Sequence, residues 1–215
     1  MAPEVKGRLT AGVLQFDSVL VSRRSEEVWQ ELQTLEQELR TRFAAPEQTL
    51  PALRPARVLY RQLGLDPTKH RPSSEALLRR VLKGEELYQI NSVGDTCNLC
   101  SLRFLLPIGL YDIAKIAGGQ VLARLGRAGE GYEGIGKGWI AAEGKLVLVD
   151  GQGPFGNPSA DSARTMITEA TPEVMMVIFA PAEYPSALLQ EHMSFTVARM
   201  ERYCGARLHA SSVVR

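Results

Sequence analysis

Cysteine is scarce. The chain holds three in 215 residues, and an odd number argues against a disulfide framework. No run of about 18 apolar residues occurs, so no membrane-spanning helix is expected. The opening segment MAPEVKGRLTAG has no apolar centre of the kind a signal peptide carries, and cytoplasmic residence is the expectation. An excess of one charge is missing too: 25 Lys and Arg against 24 Asp and Glu leave a net charge of +1. No global basic field therefore gathers nucleic acid, although the composition is compatible with a local basic patch. The three histidines, His70, His192 and His209, have no ligand-like spacing with the cysteines. No Ser–His–Asp order stands out either, so no catalytic residue is assigned and no metal or cofactor is expected. Internal repeats and low-complexity segments are also lacking.

What is present is a 45% hydrophobic chain, enough for one large domain or a domain with a small appendage. Residues 8–21, RLTAGVLQFDSVLV, read as a largely buried strand. Ser25 followed by Glu26 and Glu27 predicts an N-capped helix over 26–43, with Val28, Leu32, Leu35 and Leu39 at helical spacing. Prolines break the region from 46 to 72 into short pieces, one of which, PARVLYRQLGL, predicts a helix stopped at Gly64. Ser73 or Ser74 is the expected cap of the next helix. Glu75 lies in its first turn, Arg79, Arg80 and Lys83 in its last, and Gly84 at its end. Residues 95–105 read as a buried helix, followed by a Pro–Ile–Gly turn at 107–109, Tyr111–Asp112 and Gly118–Gly119.

From there the pattern is β. GQVLARLG predicts a strand, and the glycines from 126 to 138 predict turns and hairpins. WIAAEGKLVLVDG predicts a hairpin turning at Glu143–Gly144, and GQGPFGNPSADSARTMIT a long loop entering a short strand. EVMMVIFAP predicts a buried strand. Tyr184–Cys204 predicts an amphipathic helix with Leu188, Leu189, Met193, Val197 and Met200 inward, and ARLHASSVV a last strand. Helices and strands do not alternate strictly, which excludes a doubly wound sheet. The expected class is α+β, a mixed β core, layered or barrel-like, with helices outside.

Cys97 and Cys100 form a C-x-x-C inside an apolar helix, where buried small side chains fit better than a metal or redox pair. GQGPFG matches a dinucleotide-loop pattern, but Pro154 and Pro158 exclude the helix that pattern needs. GYEGIGK lacks the Ser or Thr that a phosphate-binding loop places next, Gly138 standing there instead. The polar set that remains comprises Asn98, Tyr111, Asp112, Asp150, Asn157, Asp161, Arg164 and Thr165. Asp161 and Arg164 either pair structurally or face a ligand, and Asp112 either caps the IAKI turn or serves a site. Arg71, Arg79, Arg80 and Lys83 form a solvated helix face or a contact for a phosphate backbone.

Asp95–Thr96 with Asn98, Pro107, Tyr111–Asp112, Ile113, Lys115–Ile116, Gly118–Gly119, KLVLVD and the TMITEAT stretch together resemble the B3/B4 domain of the phenylalanyl-tRNA synthetase beta subunit, in free-standing form. The likeness runs over about residues 55–205. It implies a division into 1–54, a strand and helix packed on the main domain, and 55–215, the B3/B4-like domain. In the synthetase this domain hydrolyses tRNA mischarged with tyrosine, in a pocket between its layers. The family's pocket Asn corresponds to Asn98. Gly109 stands where the family has a His, and Asn157 near where it has a Glu. The resemblance implies binding of an aminoacyl-tRNA 3′ end in a pocket of Asn98, Tyr111, Asp112, Asp161, Arg164 and Thr165, with hydrolysis in trans as the reaction. The alternatives are a non-catalytic module for a small amino-acid-like metabolite, and a purely structural or protein-interaction role.

Overall fold

A four-stranded antiparallel sheet of order β10-β1-β9-β2 forms the middle layer of the molecule. Its strands are β1 (Leu9–Asp17), β2 (Ile108–Asp112), β9 (Val174–Pro181) and β10 (Arg207–Val214). The computed structural model describes residues 1–215, apart from the side chain of Pro46. Every residue of β9 is buried, because its two faces serve two cores. Val174, Met176, Ile178 and Ala180 join the core beneath the helices. Met175, Val177 and Phe179 alternate with them into a second core, shared with the other sheet.

The helical layer holds α1 (Glu26–Arg42), α4 (Ser73–Leu82), α5 (Ser92–Phe104) and α6 (Ser186–Cys204). On the opposite face lie α3 (Arg54–Gln62), whose Leu59 and Tyr60 enter the second core, and a sheet of order β3-β6-β7-β8. That sheet comprises β3 (Leu122–Leu125), β6 (Leu146–Asp150), β7 (Gly153–Asn157) and β8 (Ala160–Asp161). A separate hairpin joins β4 (Gly131–Gly134) to β5 (Gly138–Ala141), and α2 (Pro46–Ala52) precedes α3. The molecule is thus α+β in three layers. No helix of the described residues is long and apolar enough to cross a membrane.

Several local expectations need correction. Pro107–Gly109 is not a turn. The chain reverses earlier, at Leu105, whose φ of 55° ends α5, and Ile108 already belongs to β2. The Glu143–Gly144 turn does not close a hairpin of β5 with β6. It is tied to Gly126 through Gly144 N–H to Gly126 O (2.9 Å) and Gly126 N–H to Lys145 O (2.8 Å), so β5 pairs with β4 while β6 pairs with β3 and β7. The expected loop at 151–168 contains β7 and β8, because the Asn157 side-chain oxygen accepts from the amides of Ser159 (2.7 Å) and Ala160 (3.0 Å) and folds a tight reversal. The residue preceding α4 is Pro72, and neither Ser73 nor Ser74 caps the helix with its side chain. On α6, Leu188 faces outward and Tyr203 inward.

Candidate functional site

Helix α5 is buried on nearly every side, and its sequence of small and polar residues explains what it does there. Asn91 caps it by accepting from the Gly94 amide (2.8 Å). Gly94, Cys97, Asn98 and Ser101 then fall on one face. These short side chains do not fill the space in front of them. A cavity of about 300 Å³ remains, walled by this stripe, by Ser73 and Leu77 of α4, by Ile108 and Leu110 of β2, and by Asp161 of β8. The volume lies at the low end of the range for small-ligand sites.

Two groups that line this space titrate, Cys97 and Asp161. Burial pushes the Cys97 thiol well above its ordinary value, with the Asp161 charge adding to the effect. Burial also raises the Asp161 carboxyl, to about 7, against the opposing influence of the Tyr111 hydroxyl, the Leu110 amide and Lys137. Asp161 Oδ2 accepts from Leu110 N–H at 3.2 Å, whereas Oδ1 is buried without a hydrogen-bond partner. An unsatisfied buried carboxylate oxygen is costly, and a proton affinity near neutrality beside a cavity is the pattern of a functional group.

Tyr111 lies under the cavity rather than in its wall. Its ring is fully buried, edge-on to Phe155 with centroids 5.0 Å apart. It folds back over Gly109 and reaches Gly156: a β-carbon on Gly109 would stand 2.7 Å from Tyr111 Cζ, and one on Gly156 2.8 Å. The space of a side chain at 109 is therefore taken by the tyrosine. The Tyr111 hydroxyl makes no well-formed hydrogen bond, but it stands near enough to the Asp161 carboxyl for each group to shift the other.

The remaining sequence candidates divide. Asn98 and Asp161 both face the cavity. Asp112 does not: it caps the following turn through Ala114 N–H (3.1 Å) and accepts from the Thr171 hydroxyl (2.8 Å). Arg164 pairs with Asp150 and not Asp161, by two bonds of 2.9 and 3.0 Å, and donates to the Lys115 carbonyl. That bidentate pair pins the segment after β8 to the end of β6. Thr165 is buried away from the cavity wall. Sequence reasoning missed Gly94 and Ser101. Their signal was the recurrence of small residues at helical spacing within an otherwise apolar helix.

Arg71, Arg79, Arg80 and Lys83 come together along a second, more open depression of about 530 Å³ beside the first. Lys137 joins them from the β4–β5 turn, and Glu85 is the one acidic residue in that wall. Ser73, Leu77, Ile90, Asn98 and Ser159 border both spaces, so cavity and groove are continuous. Glu75 organises the cations from beneath: fully buried, it binds Arg57 (2.8 and 2.7 Å) and Arg79 (3.0 Å). Burial raises the Glu75 carboxyl, but Arg57 and then Arg79 outweigh it and hold the group below its ordinary range.

Comparison with known proteins places the chain. The model of the B3/4 domain matches residues 55–203. No curated protein matches. Among solved structures, the chain is similar to an N-terminal fragment of the phenylalanyl-tRNA synthetase beta-subunit from Pyrococcus horikoshii, at 11% identity and a TM-score of 0.46 over 95% of this chain. It spans 50% of that fragment's length. With the family model covering more than half of its residues, the chain belongs to the B3/4 domain family.

Proposed function

We propose that the protein binds the 3′ end of an aminoacyl-tRNA, with the amino acid in the α5 cavity and the RNA backbone along the α4 groove. The observation that carries this is the continuity of the two spaces. A small chamber with an amide, Asn98, and an unsatisfied carboxylate, Asp161, opens directly onto a wall of Arg71, Arg79, Arg80, Lys83 and Lys137. A free amino acid offers a single carboxylate to that row of cations, whereas the ester at an RNA terminus presents a small polar head followed at once by phosphates. The near-neutral net charge is no obstacle, because a single-stranded end is held by few phosphates.

Hydrolysis of the ester in trans is the reaction proposed for the site, and Asp161, whose proton affinity lies near neutrality, is the group suited to orient or accept a proton from water. The test is a panel of correctly and wrongly charged tRNAs incubated with the protein. Amino-acid release above the buffer rate, lost in Asn98→Ala and Asp161→Asn, supports hydrolysis. Binding of charged tRNA without release leaves recognition standing and removes the reaction. Thermal stabilisation by a free amino acid with no affinity for charged tRNA replaces both with the metabolite-binding reading.

A further inference from the structure

Four large apolar side chains stand exposed around the mouth of the cavity and the groove: Tyr88 (70%), Ile90 (57%), Ile135 (47%) and Met166 (38%). Exposed apolar side chains gathered at one place mark a contact surface. Tyr88 and Ile90 sit in the segment between α4 and α5, and that segment is held at several points. Leu87 is buried in the helical core. Arg80 Nε donates to the Glu86 carbonyl at 2.7 Å, and its guanidinium pairs with Glu85 at 2.9 Å and lies over the Tyr88 ring at 4.2 Å. At the other end, the Ile90 amide donates to the buried Asp95 carboxylate at 2.9 Å. The chain thus holds an aromatic ring in water, with Arg80 over it and the backbone tied at Glu86 and Ile90, at the edge of a cationic groove.

We infer that Tyr88, backed by Arg80 and flanked by Ile90, is a stacking platform for an unpaired nucleobase of the RNA whose terminus enters the cavity. The inference rests on the tRNA-end reading and assigns the subsite next to the cavity. The charge of the wall selects the partner. Arg71, Arg79, Lys83 and Lys137 suit the phosphates on either side of a stacked base, and single-stranded nucleic acids are held by this combination of cations and aromatic faces. An apolar peptide would bring no anion to a wall whose Arg71, Arg79, Arg80 and Lys83 share only Glu75 and Glu85.

The test compares two fluorescent RNA hairpins, one blunt and one with four unpaired 3′ nucleotides, by anisotropy across a salt series. Wild type is expected to prefer the overhang. Tyr88→Ala should weaken overhang binding about tenfold, leave the blunt hairpin unchanged and leave the salt slope intact, whereas Tyr88→Trp should retain affinity. Lys83→Ala should instead lower the salt slope by about 0.7. Because the ring is exposed, thermal melting should not change in either Tyr88 variant. Full overhang preference in Tyr88→Ala overturns the platform and leaves the tRNA reading in place. Equal weakening of both hairpins overturns it as well. A wild-type protein that binds neither hairpin overturns the platform, and one that also fails to bind charged tRNA overturns the tRNA reading with it.

Discussion

Gly109 and Tyr111 are two residues apart on one strand and behave as one object. The tyrosine lies across the glycine, and ring carbons as well as the hydroxyl occupy the volume a β-carbon needs. Gly109→Ala is therefore expected to cost at least about 2 kcal/mol by overpacking, measured by urea denaturation. A Tyr111→Phe background should recover little of it, since Cζ and Cε2 stand 2.7 and 2.8 Å from the added carbon. A cost below about 0.5 kcal/mol would mean that the ring moves freely, against the close packing expected of such an interior.

Asp161 adds its own part to the pH response, opposite in sign to that of His192, whose imidazole is lowered by burial to about 4. The Asp161 carboxyl is raised by burial to about 7, above an unfolded value of about 3.9. Between those two values the folded protein retains a proton on Asp161 that the unfolded chain has released, so the contribution of Asp161 to stability falls as pH rises through about 4 to 7. The stability of Asp161→Asn relative to wild type should therefore rise across that window, and at pH 8 it should be equal or higher. A curve as steep as wild type would show that Asp161 is ionised and satisfied in the fold. Chemistry and loop position left Asp161 open between pairing with Arg164 and facing a ligand, and in the fold it lines the cavity. The partner of Arg164 was not legible, because Asp150 meets it only through the register of β6, β7 and β8.

At the scale of elements, punctuation and period located α1, α3, α4 and α6 to within a few residues. What they could not show was the tertiary use of Glu75. Read alone, it complements the dipole of the first turn of α4. In the fold it is 1% exposed and ties α4 to Arg57 of α3. Glu75→Gln should therefore destabilise by about 3 kcal/mol, the cost of leaving a shielded partner unpaired, and should loosen Arg79 in the groove. Chemical denaturation measures the first effect, and a smaller salt slope in RNA binding the second. A loss under about 1 kcal/mol would reduce the cluster to a surface pair. Strands β7 and β8 were hidden for a different reason. Pro154 and Pro158 signal loops, but Pro154 enters β7 beside a register shift against β6 at Leu148–Val149, a place where a missing amide is tolerated.

At the scale of the whole molecule, the layered α+β class was legible from the order of helical and β patterns, and the strand order was not. β1, near the start of the chain, lies between β10 and β9 from its end, a pairing no local signal specifies. The same folding gathers the cations of α4 and Lys137 on one wall although the net charge is only +1. Cavity, groove and aromatic rim thus belong to one surface, assembled from segments far apart in sequence. The most direct measurement of that surface's role is the affinity for one tRNA in two forms, uncharged and carrying its amino acid through a stable 3′ amide. The expected result is tighter binding of the aminoacylated form, with the gain lost in Asn98→Ala and Asp161→Asn and the salt dependence unchanged. Equal affinity for the two forms in wild type would contradict the assignment of the α5 cavity to the amino acid.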